Sequence, residues 1–255
     1  MQRAATVDKS LDILEATRDA GEKGRGVREL SRLLSINPAT VHNLAWTLSH
    51  RGYLSQDAKT RRFVLGPACQ QLAGSQSPWR DMAAQAKPLV QQCQQELDES
   101  ILLTALHGIE VVTLVYIHST QALRVDEPEM MGSRAYGTAV GKMLLSSLPE
   151  PALEAYLRAH PPQSFMPRTL STPELIRKGL AAVRQRGYAE TKDELCLGVS
   201  AMAVLVKPYA HAGILAALGA SAPTIRMDAR LKQKTLEVLR RYAELIDQVD
   251  GIRTK

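Results

Sequence analysis

The 255-residue sequence has no apolar run long enough to cross a bilayer, and its first twelve residues, MQRAATVDKSLD, lack the hydrophobic core of a signal peptide. A globular, cytoplasmic protein without a membrane partner is expected. Cysteine is scarce. Cys69, Cys93 and Cys196 stand far apart, with no Cys or His neighbours at zinc-site spacing, so neither a structural metal nor a disulfide is expected. Each thiol reads as a small buried apolar residue. Phosphate-loop and nucleophile signatures are missing as well. GTAVGKM (137–143) has three residues between its glycines where a phosphate loop needs four, and Met143 follows the lysine where Ser or Thr belongs. Ser200 and Ser221 lack the glycines of a nucleophile elbow. The six His are scattered: His107 falls in a turn, His118 ends a strand and His211 lies in a loop, with no helical i, i+4 pair and no evident carboxylate partner. No catalytic group stands out and no cofactor is expected.

What is present is a core-forming composition, 45% hydrophobic, with a net charge of +6 that suits a polyanionic partner. The excess is uneven: residues 1–66 hold 11 Lys+Arg against 7 Asp+Glu, and residues 67–255 hold 21 against 19. Within the basic part, Val27 to Leu65 reads as a helix, a tight turn, a second helix and a short basic hairpin, the layout of a winged helix-turn-helix. The second helix opens at Asn37-Pro38, where Asn caps the free amides and Pro suits the first helical position. Val41, Leu44, Ala45 and Leu48 form its inner stripe, set to pack on Leu30, Leu33 and Leu34. Another amphipathic helix precedes the pair, with Val7, Leu11 and Leu14 inward. After Arg51, Gly52 ends the second helix in a left-handed turn, and Tyr53-Leu54 and Arg62 to Leu65 flank a polar turn, Ser55 to Thr60.

The outer face of the second helix carries Ala39, Thr40, Asn43, Trp46, Thr47 and His50, mostly short polar groups able to reach base edges in a major groove. The residues expected to meet double-stranded DNA are Asn37, Ala39, Thr40, His42, Asn43, Thr47 and Arg51, with Lys59, Arg61 and Arg62 on the phosphate-facing edge of the hairpin. Thr40, His42 and Asn43 are the expected base readers. A plain helical hairpin with solvating charges is the competing reading of the helix pair alone.

A composition break at Gly74-Ser75-Gln76-Ser77-Pro78 sets the expected domain boundary: 1–74 for the winged helix-turn-helix with its linker helix, 79–255 for the second domain. Arg80 to Glu99 reads as a helix, bent at Pro88, with Met82, Leu89, Val90 and Leu97 apolar. Ile101–Leu106 and Val111–Ile117 read as a hairpin. Helices are expected at Gly137–Ser147, Glu150–Ala159 and Thr172–Arg186, strands at Ala201–Val206 and Ile214–Leu218, and a terminal helix over Leu231–Val249. The expected class is α+β, with helices flanking an antiparallel sheet.

Several ordered segments match one family: SLDILEAT, ATVHNLAWTL with RGYL after it, GTAVGKMLLSSLPE, MPRTLSTPEL, and IRKGLAAVRQRGYAETKDELCLGVSAMAVLV followed by AALGASAPTIRM. Over nearly its full length the chain resembles the IclR family of bacterial transcriptional regulators. The resemblance implies a winged helix-turn-helix, a linker helix and a GAF-like effector domain, acting as a homodimer or a dimer of dimers on a palindromic operator. It further implies a non-enzymatic regulator of a catabolic or metabolic operon, responding to an organic or aromatic acid. Carried over by position, the small-molecule effector pocket is lined by Thr138, Ala139, Val140, Thr191, Ala201, Gly219 and Ser221.

The chain departs from its relatives where they place an acidic residue (here Thr191), often Cys (Ala201) and usually Ser (Gly219). Each change removes a polar group or volume, which points to a roomier, less polar pocket and a larger or more apolar effector. Relatives also commonly carry Lys or Arg at the positions of Pro38 and Asn43, so the operator sequence does not carry over. Two other readings stay open: a DNA-binding protein whose second domain only mediates assembly, and an enzyme of small acids.

Overall fold

The computed structural model describes residues 4–73, 78–127, 132–209 and 214–249. It divides into two compact units, Met1–Gln76 and Ser77–Lys255. The sequence break at 74–77 and His211 lie outside the described residues.

The first unit runs α1 (Ala5–Arg18), α2 (Val27–Leu34), α3 (Pro38–His50), β1 (Leu54–Gln56), β2 (Phe63–Leu65) and α4 (Pro67–Ala73). Leu30 of α2, Val41 and Ala45 of α3, and Leu54 and Phe63 of the hairpin are buried together. A fully buried aliphatic side chain of this size contributes roughly 1.5–3 kcal/mol, enough to fix a helix pair with few polar crosslinks. Two expectations are corrected here. On α1 the buried residues are Ile13, Ala16 and Thr17, while Val7 and Leu11 face solvent. Thr17 tolerates burial because its hydroxyl donates to the Ile13 carbonyl at 2.7 Å. On α2, Leu33 is exposed, while Leu30 is buried and Val27 and Leu34 pack against the same core.

Helix α3 is bounded as its sequence dictates. Asn37 Oδ1 accepts from the Ala39 amide at 2.8 Å, and Pro38 occupies the first helical position. At the other end Gly52 has φ +76°, the Tyr53 amide donates to the Leu48 carbonyl and the Gly52 amide to that of Ser49. That pair of bonds is a Schellman stop, and it turns the chain into the wing. The wing pairs Leu54 with Leu65 and Gln56 with Phe63, and Arg25 joins Phe63 from the α1–α2 connection. Its turn begins at Asp57, two residues later than expected. The Asp57 carboxylate accepts from the amides of Lys59 and Thr60 and from the Thr60 hydroxyl. Those bonds, the Thr60 amide first, hold its pKa below the ordinary aspartate value.

The second unit runs α5 (Pro78–Leu97), β3 (Ser100–His107), β4 (Glu110–Ile117), α6 (Ala139–Ser146), α7 (Glu150–Ala159), α8 (Pro173–Arg186), β5 (Ala189–Lys192), β6 (Val199–Tyr209), β7 (Ile214–Pro223) and α9 (Ala229–Asp247). Five strands form one antiparallel sheet in the order β4-β3-β7-β6-β5. Alternate residues of β3, β6 and β7 feed the two faces. Ile101, Leu103, Met202, Val204 and Leu218 meet α5 and α9 on one side. Leu102, Ala203 and Ala217 meet α6, α7 and α8 on the other. The fold is therefore α+β, with helices on both faces.

Helix α5 continues through Pro88, and its buried stripe is Met82, Ala86, Val90, Cys93 and Leu97. It packs within the unit against α9 and the β3–β4 hairpin, more than leading into it. Strand β5, a short edge strand, was not expected, and β6 and β7 extend beyond their expected ends. Of the three cysteines only Cys93 is buried; Cys69 is half-buried and Cys196 exposed. His118, thought to lack a carboxylate, lies 3.4 Å from Asp126.

Candidate functional site

In the first unit, α3 presents an outer face on which His42, Asn43, Trp46 and Thr47 are exposed and Thr40 half-buried. The Asn43 side chain makes no hydrogen bond among the described residues, so both its donor and its acceptor remain available. Thr47 donates its hydroxyl to the Asn43 carbonyl at 2.9 Å. Trp46 and His50 stack with ring centroids 5.4 Å apart and planes 6° apart, one helical turn from Asn43. At the wing tip Lys59 and Arg61 are exposed. Beside them a shallow cleft of about 380 Å³ is lined by Arg28, His42, Thr60 and Arg61.

In the second unit a cavity of about 740 Å³ opens where α6 begins. Thr138 caps this helix: its hydroxyl oxygen accepts from the Gly141 amide at 3.0 Å and donates to the Ala135 carbonyl at 3.1 Å. The amides of Ala139 and Val140 find no acceptor among the described residues, so the helix offers two free N–H groups beside the cavity. Thr191 of β5, Ala201 of β6 and Ser221 of β7 line the sheet side. The walls are otherwise largely aliphatic, with Arg124, Asp126, Glu127, Arg134 and Glu194 as the charged exceptions. Segment 119–127 borders the opening and is held at its base. Asp98 accepts from the Thr120 amide and hydroxyl, and the buried Glu99 takes both ends of the Arg226 guanidinium at 2.7 Å.

Comparison with known proteins bears on both units. The IclR helix-turn-helix domain matches residues 6–58, and the C-terminal domain of the bacterial transcriptional regulator IclR matches residues 78–248. The chain belongs to the IclR family. It is 29% identical to the HTH-type transcriptional regulator BhcR of Paracoccus denitrificans, over 94% of this chain and 85% of that one. Among solved structures, an IclR transcriptional regulator of Silicibacter sp. TM1040 superposes with a TM-score of 0.81 over 98% of this chain and 97% of its own, at 26% identity. An IclR homolog of Microbacterium hydrocarbonoxydans, complexed with 4-hydroxybenzoate, shares the fold at a TM-score of 0.73, covering 95% of this chain and 97% of its own at 21% identity. IclR proteins are DNA-binding transcriptional regulators with an effector domain, not enzymes.

Within this IclR-family chain the structure sorts the sequence-derived residues. Thr138, Ala139, Val140, Thr191, Ala201 and Ser221 come together at one cavity; Gly219 does not. A Cβ on Gly219 would overlap Val140 Cγ1 and lie 3.3 Å from Leu102 Cδ2. The missing side chain admits α6 to the sheet and leaves no extra ligand space. Arg62 is turned away from the phosphate edge. Its Nε donates to the Lys23 carbonyl at 2.8 Å, and its Nη2 to the Gly24 carbonyl at 3.0 Å and Glu29 Oε2 at 2.6 Å. The Gly26 amide and then Arg62 hold the Glu29 carboxyl below its ordinary pKa. Arg62 thus fastens the wing to α2. Asn37 likewise spends its carboxamide oxygen on its own helix.

Sequence reasoning missed the Lys142–Glu194 pair, having set GTAVGKM aside. Lys142 Nζ reaches both Glu194 oxygens at 2.6 and 2.5 Å, and the two side chains are only 6% and 12% exposed. Burial pushes the lysine pKa down and the glutamate pKa up, each opposed by the partner charge. Thr169 donates to the Glu194 carbonyl at 2.5 Å, so α6, the 161–171 loop and the 193–198 loop are joined beside the cavity. Lys142 lies in the sequence directly behind the helix start, but its partner is 52 residues away, and no local pattern points to it.

Proposed function

We propose that this IclR-family regulator reads a palindromic operator with α3 and responds to a small carboxylate, an organic or aromatic acid, held in the cavity at the start of α6. The observation that carries the reading is that one chain holds both an exposed polar helix face and a cavity beside free helix amides. Thr40, His42 and Asn43 contact base edges, with Asn43 suited to adenine, and Ala39 and Thr47 pack along the same groove. Lys59, Arg61 and Arg51 neutralise phosphates. Asn37 orients α3 and Arg62 orients the wing. Thr138, Ala139, Val140, Thr191, Ala201 and Ser221 surround the effector, whose negative charge the α6 amides favour. The 4-hydroxybenzoate bound by the Microbacterium homolog supports an acid of this class. Two copies present their α3 helices to major grooves about 34 Å apart, or a multiple of that, and the effector biases the spacing.

Operator selection from random duplexes, followed by titration of Asn43→Ala, tests the DNA half. The variant should lose roughly 1–3 kcal/mol, mainly at one base pair of each half-site. Equal loss on every sequence would remove Asn43 as a reader.

A further inference from the structure

Arg134 lies on the cavity wall, just ahead of the turn that leads into α6. Its guanidinium sits over the Phe165 ring, 5.1 Å from the centroid, and Phe165 stacks in turn on Tyr136 at 5.8 Å. The Tyr136 hydroxyl is locked between the carbonyl and amide of Gln163. The stack fixes the plane of the guanidinium while leaving its N–H edge free. Among the described residues no carboxylate pairs with Arg134. The other wall charges are accounted for: Arg124 pairs with Asp126 at 3.7 Å, Glu194 is saturated by Lys142, and Glu127 is exposed to solvent. With Lys142 included, the three cations balance the three carboxylates, which suits a monoanion better than a dianion.

The cavity mouth has the opposite character. Leu123, Leu197 and Ile225 all line it, yet they are 61%, 80% and 86% exposed. Two bonds gather them: the Thr224 amide donates to the Gly198 carbonyl at 2.7 Å, and Arg226 Nη1 donates to the Leu123 carbonyl at 2.8 Å. An aliphatic collar of this kind at a binding cavity marks a surface that a ligand covers. A volume of about 740 Å³ also exceeds what a single-ring acid fills.

We infer that the cavity is shaped for an amphipathic monocarboxylate, its head forked by Arg134 and its apolar body extending between Leu123, Leu197 and Ile225. This rests on the reading of the cavity as the effector site, and it adds a specificity-determining residue and a ligand class. The guanidinium fork matches a carboxylate in two parallel hydrogen bonds.

The test is calorimetry on the full chain with straight-chain carboxylates from butanoate to decanoate and the primary amides of the same chains. Affinity should rise about fourfold per methylene until the tail clears the collar. Each amide should bind at least tenfold more weakly than its acid, a comparison that needs no variant. Arg134→Gln should erase the acid-over-amide preference and keep the length dependence. Leu197→Ser combined with Ile225→Ser should flatten the length dependence and keep the preference. Binding of 4-hydroxybenzoate with no length dependence, and with the preference intact in Arg134→Gln, overturns this inference and leaves the proposed function standing. Absence of binding by every acid overturns both. Loss of an oligomer in the collar variant, with length dependence unchanged, assigns the collar to a copy interface and overturns the ligand class.

Discussion

Lys142→Met should destabilise the effector domain by about 3 kcal/mol, the lower end of the range for stripping one partner from a buried ion pair. The lower end applies because Glu194 borders the cavity, where water can partly solvate the stranded carboxylate. Glu194→Met strands the more buried lysine, and about 5 kcal/mol is expected. Changing both to Met removes both desolvation costs, and the double variant should lie within about 1 kcal/mol of the parent or above it. For a unit of this size, 3 kcal/mol corresponds to roughly 6–12 °C in Tm. The pH dependence has a definite sign. Burial raises the folded-state pKa of Glu194, and without Lys142 only the weaker, more distant charge of Arg186 opposes that shift. A raised carboxylate stabilises the fold below its unfolded pKa and loses that contribution as pH climbs through the folded value. The gap between parent and Lys142→Met should therefore widen from pH 4 to pH 7. Calorimetric unfolding of the full chain, following the effector-domain transition, measures all of this. Single variants indistinguishable from the parent, with no coupling in the double-mutant cycle, would refute the reasoning.

Arg62→Ala should lower the melting temperature of the DNA-binding domain, since it leaves the Lys23 and Gly24 carbonyls without their side-chain donor and Glu29 with the Gly26 amide alone. Arg61→Ala should instead spare the melt, weaken binding to all duplexes, and reduce the salt slope by about 0.9, measured by anisotropy across salt concentrations. Gly219→Ala should cost about 1–3 kcal/mol by overpacking against Val140, and Val140→Ala in the same chain should restore part of it in urea unfolding. Burial raises the Cys93 thiol pKa to about 12, so iodoacetamide at pH 8 should modify Cys196 and leave Cys93 untouched until the chain is unfolded, as read by peptide mass spectrometry.

The recognition helix was legible because its determinants are local: a capping Asn, a Pro at the first position and a Gly at the stop lie within sixteen residues. The β3–β4 hairpin was legible for the same reason, having two β-branched runs around a two-residue turn. Helix α1 misled at Val7 and Leu11, though not at Leu14, because their helical spacing is as good as that of Ile13, Ala16 and Thr17, and only the placement of α2, α3 and β2 decides which face is covered. Strand β5, with the sequence AETK, has neither the length nor the alternation to announce itself and exists through pairing with β6. At the sites, residue types were readable and their partners were not. Arg62 looked like a phosphate contact until Glu29, 33 residues away, claimed it. Gly219 looked like added room until Val140 filled it. Arg134 carried no signal, because its place over Phe165 and on the cavity wall is set by segments distant in the sequence.

The most direct test is the linkage between cavity and operator in the full chain. Operator affinity should be measured by anisotropy with and without a saturating carboxylate, and carboxylate affinity by calorimetry with and without operator. Coupling of 1–3 kcal/mol, about 5- to 150-fold, should appear with the same factor in both directions. A carboxylate that binds the cavity and leaves operator affinity unchanged would contradict a ligand-responsive regulator.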